Sequence, residues 1–169
     1  MLTVIVRNID RERLASKNLK GSSVIANGKT LATIKSGEAE TIFLIHPQLE
    51  MEEYEILRET ILEMVSGTNA GVDESGCKLG YLENGEPAYL IKNWEPWKAF
   101  LMRARLRTLE GQNIAVKDSS GDELGSGLLA EYKIEQNPFR ITSCTLITIF
   151  GEKKIEGAEL QVEPTGRFN

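Results

Sequence analysis

Apolar residues in this chain come mostly in short blocks, and only two stretches carry them at helical spacing. Leu2 to Val6 is a compact apolar block rich in β-branched residues, and it predicts a strand. Val24 to Ala26 and Leu31 to Ile34 flank Asn27-Gly28, a pair suited to a hairpin turn because both positions need φ > 0. Thr41 to Ile45 is continuously apolar apart from its first residue and predicts a well-buried central strand. Between Pro47 and Val65 the period changes. Tyr54, Leu57, Ile61, Met64 and Val65 recur every three or four residues, with Glu52, Glu55, Glu59 and Glu63 in a stripe beside them. That predicts a helix ending ahead of Gly67. Ser66 to Gly76 reads as a loop. Leu79 to Leu82 and Ala88 to Ile91 flank Asn84-Gly85 as a second hairpin, with Pro87 marking an edge strand. A short helix capped by Asn8 or Asp10 and running to Leu14 is also expected.

Trp94 to Glu110 forms the second helical stretch, with Pro96 near its start where proline is tolerated. Trp97, Phe100, Leu101, Ala104 and Thr108 share one side of the wheel; Met102, Leu106 and Leu109 lie nearly opposite. A helix apolar on two sides is expected to be buried on two sides, here between an N-terminal layer and the C-terminal third of the chain. That C-terminal third is β-rich. Ile114–Lys117, Leu124–Glu135, Phe139–Thr142, Leu146–Phe150 and Leu160–Val162 read as five strands, with Gly125 and Gly127 placed to bend the long one. The fold class is therefore α+β. An N-terminal mixed strand and helix layer, residues 1–93, is expected to pack through a linking helix on a small β-barrel within residues 94–169.

Charge removes several function classes. The chain of 169 residues has a net charge of −5. Residues 1–93 contribute 10 Lys+Arg against 14 Asp+Glu, and residues 94–169 contribute 10 against 11. No overall basic footprint points to nucleic acid, and nothing suggests a membrane surface. The N-terminal MLTVIVRNIDRER has no basic region ahead of its apolar run, so it does not read as a signal peptide, and a cytoplasmic location is expected. Cys77 and Cys144 form no CxxC and lack histidine partners for a zinc site. They read as reduced core thiols, and no cofactor or metal is expected.

The phrase from Gly111 to Leu128 sets glycines at 111, 121, 125 and 127, with Ile114, Val116 and Asp118 between the first two. With the preceding helix and the segment Phe150 to Gly157, it resembles the Sm-like small barrel, and the glycine spacing also fits PUA-type and SH3-like barrels. The resemblance spans about 70 residues and implies architecture. The Asp and Asn that Sm-like proteins set around a base have no counterpart here. Glu156-Gly157 stands where that family has Arg-Gly.

No motif for nucleophilic, metal or nucleotide chemistry is complete. His46, the only histidine, sits at a strand-to-helix junction; the simplest reading is a junction residue bonded to backbone. Ser66 to Gly76 lacks the Gly-Lys-Ser/Thr ending of a phosphate loop. Asp73 and Glu74 within it read as solvated acids. The candidate binding residues are Lys98, Arg103, Arg105 and Arg107, which suit phosphates, and Phe139, which with Trp94 or Trp97 suits base stacking. Against that, the four basic side chains are also expected to snorkel from a sandwiched helix. The sequence points to a non-catalytic binding or assembly module whose barrel engages a protein or RNA partner, with a ring or other homo-oligomer as one form it could take. The alternative is a small enzyme of uncommon type with a pocket near His46 and the 66–76 loop.

Overall fold

The computed structural model describes residues 1–9, 17–136 and 138–166. The short helix expected up to Leu14 falls outside these residues. The described residues form two helices and a larger share of strand, and the chain divides into two compact units, Met1–Trp97 and Lys98–Asn169.

The first unit holds a six-stranded antiparallel sheet. Its strands are β1 (Leu2–Arg7), β2 (Leu19–Lys20), β3 (Ser23–Ala26), β4 (Lys29–Ser36), β5 (Glu40–Ile45) and β6 (Gly71–Asp73), in the order β2-β3-β4-β5-β1-β6. Asn27 and Gly28 turn β3 into β4 with φ of 50° and 77°. Register sets Phe43 between Val4 and Ile34, and all three are buried. This alternation is the period-two signature of a sheet with one buried face. Helix α1 (Met51–Val65) lies against β3 and β4 and buries Leu57, Ile61 and Met64, as the apolar spacing requires. Lys29 is salt-bridged to Glu53 in its first turn at 2.7 Å. A separate hairpin, β7 (Lys78–Tyr81) with β8 (Pro87–Tyr89), buries Ala88.

The segment from Ser66 to Gly76 is not wholly a loop. Its centre is β6, which pairs with β1 through Ile5↔Asp73 and Arg7↔Gly71. The strand is held by backbone bonds to a partner far upstream, a signal absent from its own composition.

Helix α2 (Trp94–Leu109) begins in the first unit and ends in the second. Burial along it is divided by length. Trp94 and Trp97 are buried at its start and Leu106 and Leu109 at its end, whereas Ala104 and Thr108 are exposed.

The described residues of the second unit form four strands where five were expected: β9 (Asn113–Lys117), β10 (Glu123–Gln136), β11 (Phe139–Thr148) and β12 (Gly151–Pro164). Phe139–Thr142 and Leu146–Phe150 belong to one strand, because Ser143 and Cys144 continue the ladder. Pairing runs β9–β10–β11–β12 and returns from β12 to β9, so the sheet closes on itself. Both 14-residue strands change partners along their length. The first part of β10 pairs with β9 and the second with β11; β12 pairs first with β11 and then with β9. Each long strand thus does the work of two, which is why the closed sheet needs only four. Its core holds Ile114, Val116, Leu129, Ile141, Leu146 and Ile155, joined by Leu106 and Leu109 from α2.

Candidate functional site

The strongest surface feature of the second unit is the turn joining β11 to β12. Thr148 pairs with Gly151, leaving Ile149 and Phe150 as the two turn residues. Neither has positive φ, whereas Gly151 has φ of 104°. That is the pattern of a turn followed by a glycine bulge, and a side chain at Gly151 would be strained. The Thr148 hydroxyl fixes the turn from within. Its Oγ1 accepts from the Phe150 N–H at 3.1 Å and donates to the Gly151 carbonyl at 2.9 Å. The backbone is thus tied down while both side chains point into water: Ile149 is 89% and Phe150 93% exposed. Leaving two large apolar side chains this open on a fixed turn is unfavourable unless something covers them.

The tip does not stand alone. Leu128 and Ile147 face each other across β10 and β11 and are also exposed, at 38% and 40%. Together with Asn113, Ser126, Thr148 and Lys153 they line a hollow of about 710 Å³ whose rim carries Ile149 and Phe150. Gly127 lines it too, where β10 and β11 approach closely. A Cβ there would come within 2.7 Å of the Ile147 carbonyl oxygen. Glu152 and Lys153 are the charged residues of the lining. Lys153 donates from Nζ to the Leu124 carbonyl at 2.8 Å, so one wall is fixed as well. The opposite seam, between β9 and β12, carries a Lys117–Glu163 ion pair at 2.6 Å.

The basic residues singled out in the sequence all lie on α2 but do not gather on one side. At 100° per residue, Lys98 and Arg105 share one side, and Arg103 and Arg107 lie nearly opposite. Arg105 and Arg107 are exposed, while Lys98 and Arg103 are half-buried and held by neighbours. Trp94 and Trp97 pack on each other with ring centroids 5.7 Å apart and are buried, which withdraws them as stacking platforms. Phe139 is half-buried against the core of the closed sheet. It opens β11, while Phe150 follows the other end, about 30 Å away at strand rise. Burial holds the Tyr132 hydroxyl above its usual pKa, and a hydrogen bond to Glu110 adds to this.

The alternative location is occupied by structural bonds. The His46 N–H donates to the Leu31 carbonyl at 2.9 Å, and its ring Nε2 lies 3.4 Å from Thr33 Oγ1. In the 66–76 segment the two acids are internal anchors. Asp73 accepts from the Ser75 N–H and hydroxyl, and those bonds hold its carboxyl below the ordinary range. Glu74 accepts from the backbone N–H groups of Ile91 and Lys92, at 2.6 and 2.9 Å. Among the described residues no group of three His, Cys, Asp or Glu is arranged to hold a metal ion. Cys77 and Cys144 are buried free thiols, with burial pushing their pKa values to about 12 and about 11. Among the described residues no helix is long and apolar enough to cross a membrane.

Ile149 and Phe150 were visible in the sequence only as the end of a strand. The signal that marks them is the run Thr-Ile-Phe-Gly, in which an apolar pair lies between a hydroxyl residue and a glycine able to take positive φ. No family model, no curated protein and no solved structure matches this chain.

Proposed function

We propose that the chain is a non-catalytic binding module whose second unit, a small β-barrel of the Sm-like or SH3-like kind, engages a protein through the Ile149–Phe150 turn. One observation carries the reading: two large apolar side chains, 89% and 93% exposed, sit on a turn whose backbone is already fixed. An aromatic anchor held in place loses little freedom on binding, and such anchors dominate protein interfaces. The closed sheet favours side-chain recognition, because it has no free edge to accept an added strand. A protein fits this site better than RNA does. Beside its apolar side chains the lining has three neutral polar residues, one acid and one base, whereas phosphate binding needs a basic track.

A photo-reactive phenylalanine analogue at position 150 tests this in the producing cells, with the same analogue at position 105 as the nucleic-acid arm. A discrete protein adduct from position 150 is the expected result. RNA adducts from position 105, with no protein adduct from position 150, would replace the reading with the RNA one. No adduct at either position would remove it.

A further inference from the structure

We infer that the occupant of this surface is a second copy of the same chain, in a two-fold contact that sets each Phe150 over the other copy's hollow. The inference rests on the reading of the tip as a protein-binding surface and names its partner.

Knob and hollow lie side by side on one face, since Phe150 itself borders the space lined by Leu128 and Ile147. A two-fold axis between them engages both features of both copies at once and closes the assembly at two chains. Had the hollow been elsewhere on the molecule, the same contact would have run head to tail.

Charge favours the same occupant. The chain carries a net −5, so two copies repel at a distance. At this face the charged lining residues are Glu152 and Lys153, consecutive on β12 and cancelling in sum. The face is a nearly neutral part of an acidic chain.

Area sets the class of contact. Covering Ile149, Phe150 and the open parts of Leu128 and Ile147 removes on the order of 500 Å² of apolar surface per copy, at ~200 Å² for a whole large side chain. Both copies together reach about 1,000 Å², the lower bound for a specific interface and the size of a weak or transient one.

Sedimentation velocity of the full chain over a concentration series tests this. The expected result is a monomer–dimer equilibrium whose dimer share holds or rises with salt, because salt screens the like charges of the two chains. Phe150→Ser should weaken it at least about 30-fold, the loss of a hot-spot aromatic. The residue is exposed, so its circular dichroism and melting should match the wild type. A wild type that stays monomeric at about 100 µM overturns the inference. So does a dimer indifferent to Phe150→Ser. Photo-crosslinks from position 150 to a different protein, with no self-adduct, also overturn it while leaving the proposed function standing.

Discussion

Replacing Gly127 by alanine is the sharpest single probe of how the hollow is built. The added Cβ would lie 2.7 Å from the Ile147 carbonyl oxygen and 3.2 Å from Thr148 Cγ2. Backbone cannot swing aside as a side-chain end does, so β10 and β11 must separate by several tenths of an ångström at the Leu128↔Ile147 pair. Overpacking of this kind costs about 1–3 kcal/mol. For a unit of this size that lowers the melting temperature by roughly 4–8 °C per kcal/mol. Gly71 is the matched control. It lies in β6, its φ is not positive, and nothing lies within 4 Å of its Cβ position. Gly71→Ala should therefore be stabilising by about 0.4–1 kcal/mol, through a less free unfolded chain. Urea unfolding, followed in far-ultraviolet circular dichroism, measures both. Equal effects of the two substitutions would refute the reasoning, as would a neutral Gly127→Ala.

The same geometry sets three further outcomes. Leu109→Ala, at a side chain 5% exposed in the core of the closed sheet, should cost about 2–5 kcal/mol in urea unfolding. Arg105→Ala on the same helix should stay within about 0.5 kcal/mol. Asp118 accepts from the Ser120 hydroxyl and from the backbone of Ser120 and Asp122, which holds its pKa below the ordinary carboxylate value. Its folded pKa is the lower one, so its contribution is present above the unfolded value near pH 4 and is lost as pH falls through the folded one. Carboxyl-resolved nuclear magnetic resonance should show that low midpoint, and Asp118→Asn should make the turn after β9 less sensitive to acid. Cys77 and Cys144, with their thiols raised to about 12 and about 11, should resist iodoacetamide at neutral pH in the folded chain and react fully in urea. Rapid labelling of either in the native state would contradict the burial described.

Legibility in the sequence followed the range of the interactions. Asn27-Gly28, the Thr41–Ile45 strand and both helices were readable because turn chemistry and period are local. β6 was not, since three residues with one apolar side chain become a strand only by meeting β1. The same holds for Glu74, whose carboxylate serves backbone groups 17 and 18 residues away. β12 was readable only at Leu160–Val162. Its first half, Gly-Glu-Lys-Lys-Ile-Glu, shows a single core residue, Ile155, because the other side chains face water. β11 was read as two strands with Ser143, Cys144 and Thr145 left between them, yet Ser143 and Cys144 are buried within the ladder. At the candidate site the basic residues of α2 were visible as a group. Their division between two sides of the helix lessens their value as one phosphate track. The apolar turn that replaces them is defined by exposure, which no local pattern reports.

The return of β12 to β9 bears on how the unit is made. Gln161 to Pro164 complete the pairing with β9, and Thr165 then bonds to the Asn113 carbonyl through its N–H and its hydroxyl. During synthesis β9, β10 and β11 emerge first as a meander with two open edges. Those edges stay available to any neighbouring strand until the last of these residues leaves the ribosome. Nascent chains are therefore exposed to mispairing during a window that the finished sheet, with no edge left, no longer has.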